Sequence, residues 1–98
     1  MKLTPKEMAL IVRKVSDSRL LTPQERDILR AMGRLNGSAC PVMQIVEYLH
    51  ISGWPGASHG SVKVLLHRIR KKIDGTGLYM ASDRARGGGV ALRYEPII

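Results

Sequence analysis

The stretch Gly60–Ile73, with the sequence Gly-Ser-Val-Lys-Val-Leu-Leu-His-Arg-Ile-Arg-Lys-Lys-Ile, constrains the fold more than any other. At about 100° per residue, Val62, Leu66, Ile69 and Ile73 fall on one side of a helix, with Leu65 at the margin. That side needs a core to cover it. The opposite side carries Val64, His67, Arg68 and Lys71, flanked by Lys63 and Arg70, and no acid interrupts it before Asp74. A helix of this kind fits the major groove of duplex DNA. Arginine there bonds guanine edges and lysine pairs with phosphates. A solvated surface helix also carries charge runs, so the surrounding elements must decide between the two.

The balance of charge favours a polyanionic partner. Net charge is +8, from 16 Lys and Arg against 8 Asp and Glu. Residues 61–98 hold eight basic and three acidic groups; residues 1–60 hold eight and five. Nucleic acid is the usual partner of so basic a chain. At 98 residues one domain is expected, with a small aliphatic core, because only four aromatic residues are present. No apolar run approaches the roughly 18 residues of a membrane span, and Met1–Pro5 opens no signal-peptide core. One cysteine, Cys40, excludes an intrachain disulfide and a multi-cysteine zinc site. A cytoplasmic, nucleoid-associated location is expected, with no membrane partner.

Two segments carry the same helix-start chemistry. In Leu3-Thr4-Pro5-Lys6-Glu7, Thr4 caps, Pro5 fits the first turn and Glu7 completes a capping box. Met8, Ile11, Val12 and Val15 follow at helical spacing, and Ser16-Asp17-Ser18 ends a helix over 4–17. Leu21-Thr22-Pro23-Gln24-Glu25 repeats the device, with Ile28, Leu29, Met32 and Leu35 inward and Asn36-Gly37 as the stop. Pro41 then begins a third helix at a first-turn position, with Val42, Ile45, Val46 and Leu49 as its stripe. Cys40, at that junction, reads as a small packed residue. Ser52-Gly53-Trp54-Pro55-Gly56 forbids regular helix; Trp54 is expected to plug the core edge. Ser58 or Ser61 caps the basic helix, and Asp74-Gly75 closes it.

After Gly77 the period changes to two. Leu78–Ser82 and Val90–Tyr94 read as strands, with Val90, Leu92 and Tyr94 on one face and Ala91 and Arg93 on the other. Between them, Asp83–Gly89 holds three glycines and the arginines Arg84 and Arg86. A hairpin tip can use such glycines, and its arginines can enter a minor groove. The expected fold is mainly α with a small β-hairpin (α+β): a winged helix-turn-helix with an extra N-terminal helix. Residues 1–98 form one domain: the added helix in 1–20, a three-helix core in 21–75, and hairpin and tail in 76–98.

Residues 21–93 resemble the OmpR/PhoB-type winged-helix effector domain of bacterial response regulators. Leu21-Thr22-Pro23-Gln24-Glu25 is similar to that family's Leu-Thr-Pro-x-Glu opening. Val62-Lys63-Val64 and Arg68-Ile69-Arg70-Lys71-Lys72-Ile73 resemble its recognition helix, and Arg84-Ala85-Arg86-Gly87-Gly88-Gly89-Val90-Ala91-Leu92 its wing. The resemblance implies that Lys63, His67, Arg68, Arg70 and Arg86 approach bases or phosphates. The chain departs from the family in several places, among them the Ile51–Ser58 loop, which has no recognisable match there. A helix is expected in place of the sheet that usually precedes Leu-Thr-Pro, no receiver domain is expected, His67 stands where the family has arginine, and Val90 stands for the wing tyrosine.

The expected function is sequence-specific binding of double-stranded DNA in transcriptional regulation. Ser61, Lys63, Val64, His67, Arg68, Arg70, Lys71, Lys72, Arg84 and Arg86 would form the contact surface. The alternative is a protein-interaction adaptor, docking on RNA polymerase or on a phage or nucleoprotein assembly. It would use residues 4–17 and the 51–58 loop, and an exposed apolar face on residues 8–15 would favour it. The first helix could also join two copies on a two-fold site, and RNA held by shape is a further alternative. Catalysis is not expected: His50, His59 and His67 share no ligand spacing with one another or with Cys40, and Gly87-Gly88-Gly89 lacks the lysine of a phosphate loop. No cofactor or metal is expected.

Overall fold

The computed structural model describes residues 3–83 and 89–96. Four helices precede one antiparallel hairpin, an α+β arrangement: α1 (Pro5–Ser18), α2 (Pro23–Arg34), α3 (Val42–Ile51), α4 (His59–Ile73), β1 (Leu78–Asp83) and β2 (Gly89–Tyr94).

Local chemistry explains where the helices begin. At α1, Glu7 N donates to Thr4 Oγ1 at 3.2 Å and Thr4 N to Glu7 Oε1 at 3.0 Å. At α2, Glu25 N donates to Thr22 Oγ1 at 3.3 Å and Thr22 N to Glu25 Oε1 at 2.8 Å. Each box satisfies two amides that would otherwise lack partners. The α2 stop is also local: Asn36 (φ 48°) and Gly37 (φ 93°) turn left-handed. Pro41 differs from the expectation of a first-turn residue. It is extended (φ −64°, ψ 148°) and forms the N-cap of α3, with no side-chain cap bond.

The apolar stripes meet in one cluster to which every element contributes. Ile28, Leu29, Leu49, Val62, Ile69 and Leu92 are wholly buried, each burial stabilising by about 1.5–3 kcal/mol. In α1, Met8, Val12 and Val15 are buried and Ile11 half-buried, while Leu10 is exposed. Of the large apolar side chains in residues 8–15, Leu10 alone stands exposed, while the others pack on the core. Gly33 lets α1 and α2 approach closely: a β-carbon there would lie 3.0 Å from Val12 Cγ2.

The hairpin pairs Leu78 with Tyr94 and Asp83 with Gly89. Each strand extends one residue further toward the connection than the alternation suggested. Val90 and Leu92 are buried as expected, and Ala91 is buried too, so both faces of β2 are covered there. Cys40 joins this sheet. Its amide donates to Val90 O and Val90 N to Cys40 O, both at 2.9 Å, which ties the α2–α3 connection to β2.

The α3–α4 connection is held at three points. Trp54 packs half-buried on the core, and its Nε1 donates to Asp27 Oδ2 at 2.8 Å. Trp54 N donates to Leu49 O at 2.9 Å, and His50 Nε2 lies 2.7 Å from Ala57 O. The start of α4 is thereby fixed to α2 and α3.

Candidate nucleic-acid interface

The candidate site is the outward side of α4. Its first turn is closed by two serines. Ser61 N donates to Ser58 Oγ at 3.2 Å, and Ser58 N donates to Ser61 Oγ at 2.8 Å. The half-buried Ser61 therefore serves the cap.

Val62, Leu65, Leu66, Ile69 and Ile73 are buried, which fixes the rotation of α4. Lys63, Val64, His67, Arg68 and Lys71 are exposed on the side away from the core. Arg70 is exposed as well, and its Nη2 reaches within 3.5 Å of Ser82 Oγ on β1. The cationic surface thus continues from α4 toward the hairpin. Arg84 and Arg86 lie outside the described residues, in the segment joining Asp83 to Gly89.

Among the described residues two ion pairs form, Arg26 with Asp17 at 3.9 Å and Lys72 with Glu25 at 2.6 Å. Lys63, Arg68, Arg70 and Lys71 have no carboxylate partner among the described residues, so their charge faces solvent. Arg70, Lys71 and Lys72 also occupy the last turn of α4, where cations complement the helix dipole.

Lys72 is placed apart from its neighbours. Its Nζ is 2.6 Å from Oε1 of Glu25, whose side chain is 1% exposed. It follows Leu65 by seven residues, two turns on, and shares that residue's position at the edge of the buried side. Lys72 thus belongs to the α2–α4 contact and is withdrawn from the outward surface. Burial pushes the Glu25 carboxyl up, but bonds from Lys72 and from the Thr22 amide and hydroxyl outweigh it, with the Lys72 charge adding to them. The net direction is below the ordinary carboxylate value of 4.5. Among the described residues Glu25 Oε2 has no hydrogen-bond partner. This pair was missed by pattern reading, in which Glu25 served only as a capping residue.

No group of three His, Cys, Asp or Glu side chains is placed to hold a metal among the described residues. Burial pushes the Cys40 thiol up, away from the reactive thiolate. Among the described residues no helix is long and apolar enough to cross a membrane. The outward side of α4 can place one guanidinium, two ammonium groups, an imidazole and a methyl-bearing side chain against a polyanion. No protein-family model, curated protein or solved structure matches the chain.

Proposed function

We propose that the chain is a winged helix-turn-helix protein that binds duplex DNA at specific sequences and acts in transcriptional regulation. In this reading α3 and α4 form the helix-turn-helix, α4 enters the major groove, and the segment 83–89 follows the adjacent minor groove as the wing. One observation carries it. The core fixes the rotation of α4, and the side left outward is cationic and unopposed by any acid among the described residues.

The roles follow from side-chain geometry. Arg68 presents a planar fork suited to the O6 and N7 acceptors of guanine. Lys63 and Lys71 flank it as point charges for phosphates. Val64, exposed among these cations, suits the thymine methyl group. Ser61 and Lys72 act indirectly, holding the start and the tilt of α4.

The salt dependence of binding tests this reading. Each phosphate neutralised contributes about 0.9 to the slope of log K against log salt. Lys63, Arg68, Arg70 and Lys71 together predict a slope of about −3.6 on a chosen duplex. A slope near zero would remove the electrostatic basis of the proposal.

A further inference from the structure

We infer that the groove between α1 and α2, lined by Arg13, Arg26, Arg30 and Arg34, docks an acidic amphipathic helix of a partner protein. This does not rest on the DNA reading, because it concerns a different side of the molecule.

The groove is a product of helix packing. Asp17 near the end of α1 faces Arg26 near the start of α2, and Val12 faces Gly33 near the end of α2. The two helices therefore run antiparallel. Between them lies a groove of about 570 Å³, with Ala9, Val12 and Gly33 among its walls. Arg26, Arg30 and Arg34 recur at intervals of four residues, so α2 sends one row of guanidinium groups along it. Arg13 lines it from α1. Arg26 is held by Asp17 and by Leu21 O, at 3.9 and 3.2 Å. Arg13, Arg30 and Arg34 are exposed, with no carboxylate partner among the described residues.

The chemistry selects the occupant. Three unopposed cations call for an anion, and the exposed Pro5 and Ala9, beside the buried Val12 and Gly33 of the groove floor, call for apolar side chains. A third helix can lie in the groove between two antiparallel ones, apolar stripe inward and carboxylates toward the rims. Duplex DNA offers phosphates but no apolar ridge to fill such a groove. All four cations are arginines, the type enriched at protein interfaces and matched to carboxylates. A second copy of this chain is a poor occupant. Its helices carry only Glu7 and Asp17, Glu25 and Asp27, and Glu47, and none forms an acidic stripe. The arginine row also lies about 100° to 180° around α2 from Glu25, the residue that meets α4.

The test uses the full chain, labelled with nitrogen-15, and three probes. One is a synthetic helical peptide with leucines on one stripe and glutamates elsewhere. The second has the leucines replaced by serine, and the third is a duplex oligonucleotide. The leucine peptide is expected to shift the amides of Arg13, Arg30, Gly33 and Arg34. The double variant Arg30→Ala with Arg34→Ala should weaken its binding by roughly tenfold or more, while Arg68→Ala leaves it unchanged. Both arginines are exposed and unpaired among the described residues, so folding should survive. As a second check, Arg30→Glu should gain affinity for the lysine counterpart of the leucine peptide. The inference is overturned if the leucine peptide fails to bind at about millimolar concentration, or if the serine peptide binds equally well. Amide shifts that map to α4, or displacement of the peptide from the groove by the duplex, would overturn it too.

Discussion

Lys72 Nζ sits 2.6 Å from the buried Oε1 of Glu25, joining the first turn of α2 to the last turn of α4 across 47 positions of sequence. Glu25 Oε1 also receives the Thr22 amide at 2.8 Å. One carboxylate thus closes the start of one helix and anchors the end of another.

Removing Lys72 should therefore cost stability before it costs affinity. Lys72→Met leaves the Glu25 carboxylate buried with its Thr22 bond alone. A loss of roughly 1–3 kcal/mol is expected, the penalty of a buried acceptor left unpaired, read from urea midpoints. Adding Glu25→Gln should recover part of the loss, because replacing both charges removes the unpaired one. Equal stability of Lys72→Met and the parent would show that the pair contributes nothing.

Acid should weaken the fold through the same carboxylate. The folded Glu25 holds its proton less tightly than the unfolded one, so the unfolded chain binds more protons as pH falls. Its contribution is complete above the ordinary value of 4.5 and is lost as pH falls through the lower folded value. Glu7 acts in the same direction, its carboxyl lowered chiefly by the bond with the Thr4 backbone. Urea midpoints from about pH 6 to about pH 3 should fall less steeply for Glu25→Gln than for the parent. Parallel slopes would place the acid sensitivity elsewhere.

Two glycines should respond in opposite directions to alanine. Gly77 has φ 95°, and a β-carbon there would lie 2.9 Å from the Glu95 carbonyl oxygen. Gly77→Ala is expected to cost about 1–3 kcal/mol. Gly60, in α4, has open space around its would-be β-carbon, so Gly60→Ala should stabilise by about 0.4–1 kcal/mol. Thermal unfolding separates the two, and a stabilised Gly77→Ala would contradict the backbone placement.

The elements that were legible in the sequence owe their position to short-range chemistry. Thr4 with Glu7 and Thr22 with Glu25 are cap partners three residues apart, and the Val62–Ile73 stripe lies within one helix. What escaped was set by distance along the chain. Lys72 looked like one more cation in a basic run, and its partner stands in another helix. The bond of Cys40 to Val90 joins segments that no local pattern connects. The α1–α2 groove escaped for a similar reason. Arg26, Arg30 and Arg34 are readable as a row, but only packing at Gly33 brings Arg13 and Val12 beside them. Pro41 sits one position before the first turn, where proline is most at home, because its extended backbone makes it the N-cap of α3.

The most direct test of the central claim is selection from random duplex DNA at about 0.15 M salt, followed by titration of the winning duplex and a scrambled one. Specific affinity should exceed the scrambled duplex by about a thousandfold or more. Arg68→Ala should lower affinity for the winner by about 1–3 kcal/mol and relax preference at one base position. A repeated motif would add that two copies bind together, with the spacing of the half-sites. No enriched sequence, with equal affinity for every duplex and no change in Arg68→Ala, would contradict sequence-specific binding through α4.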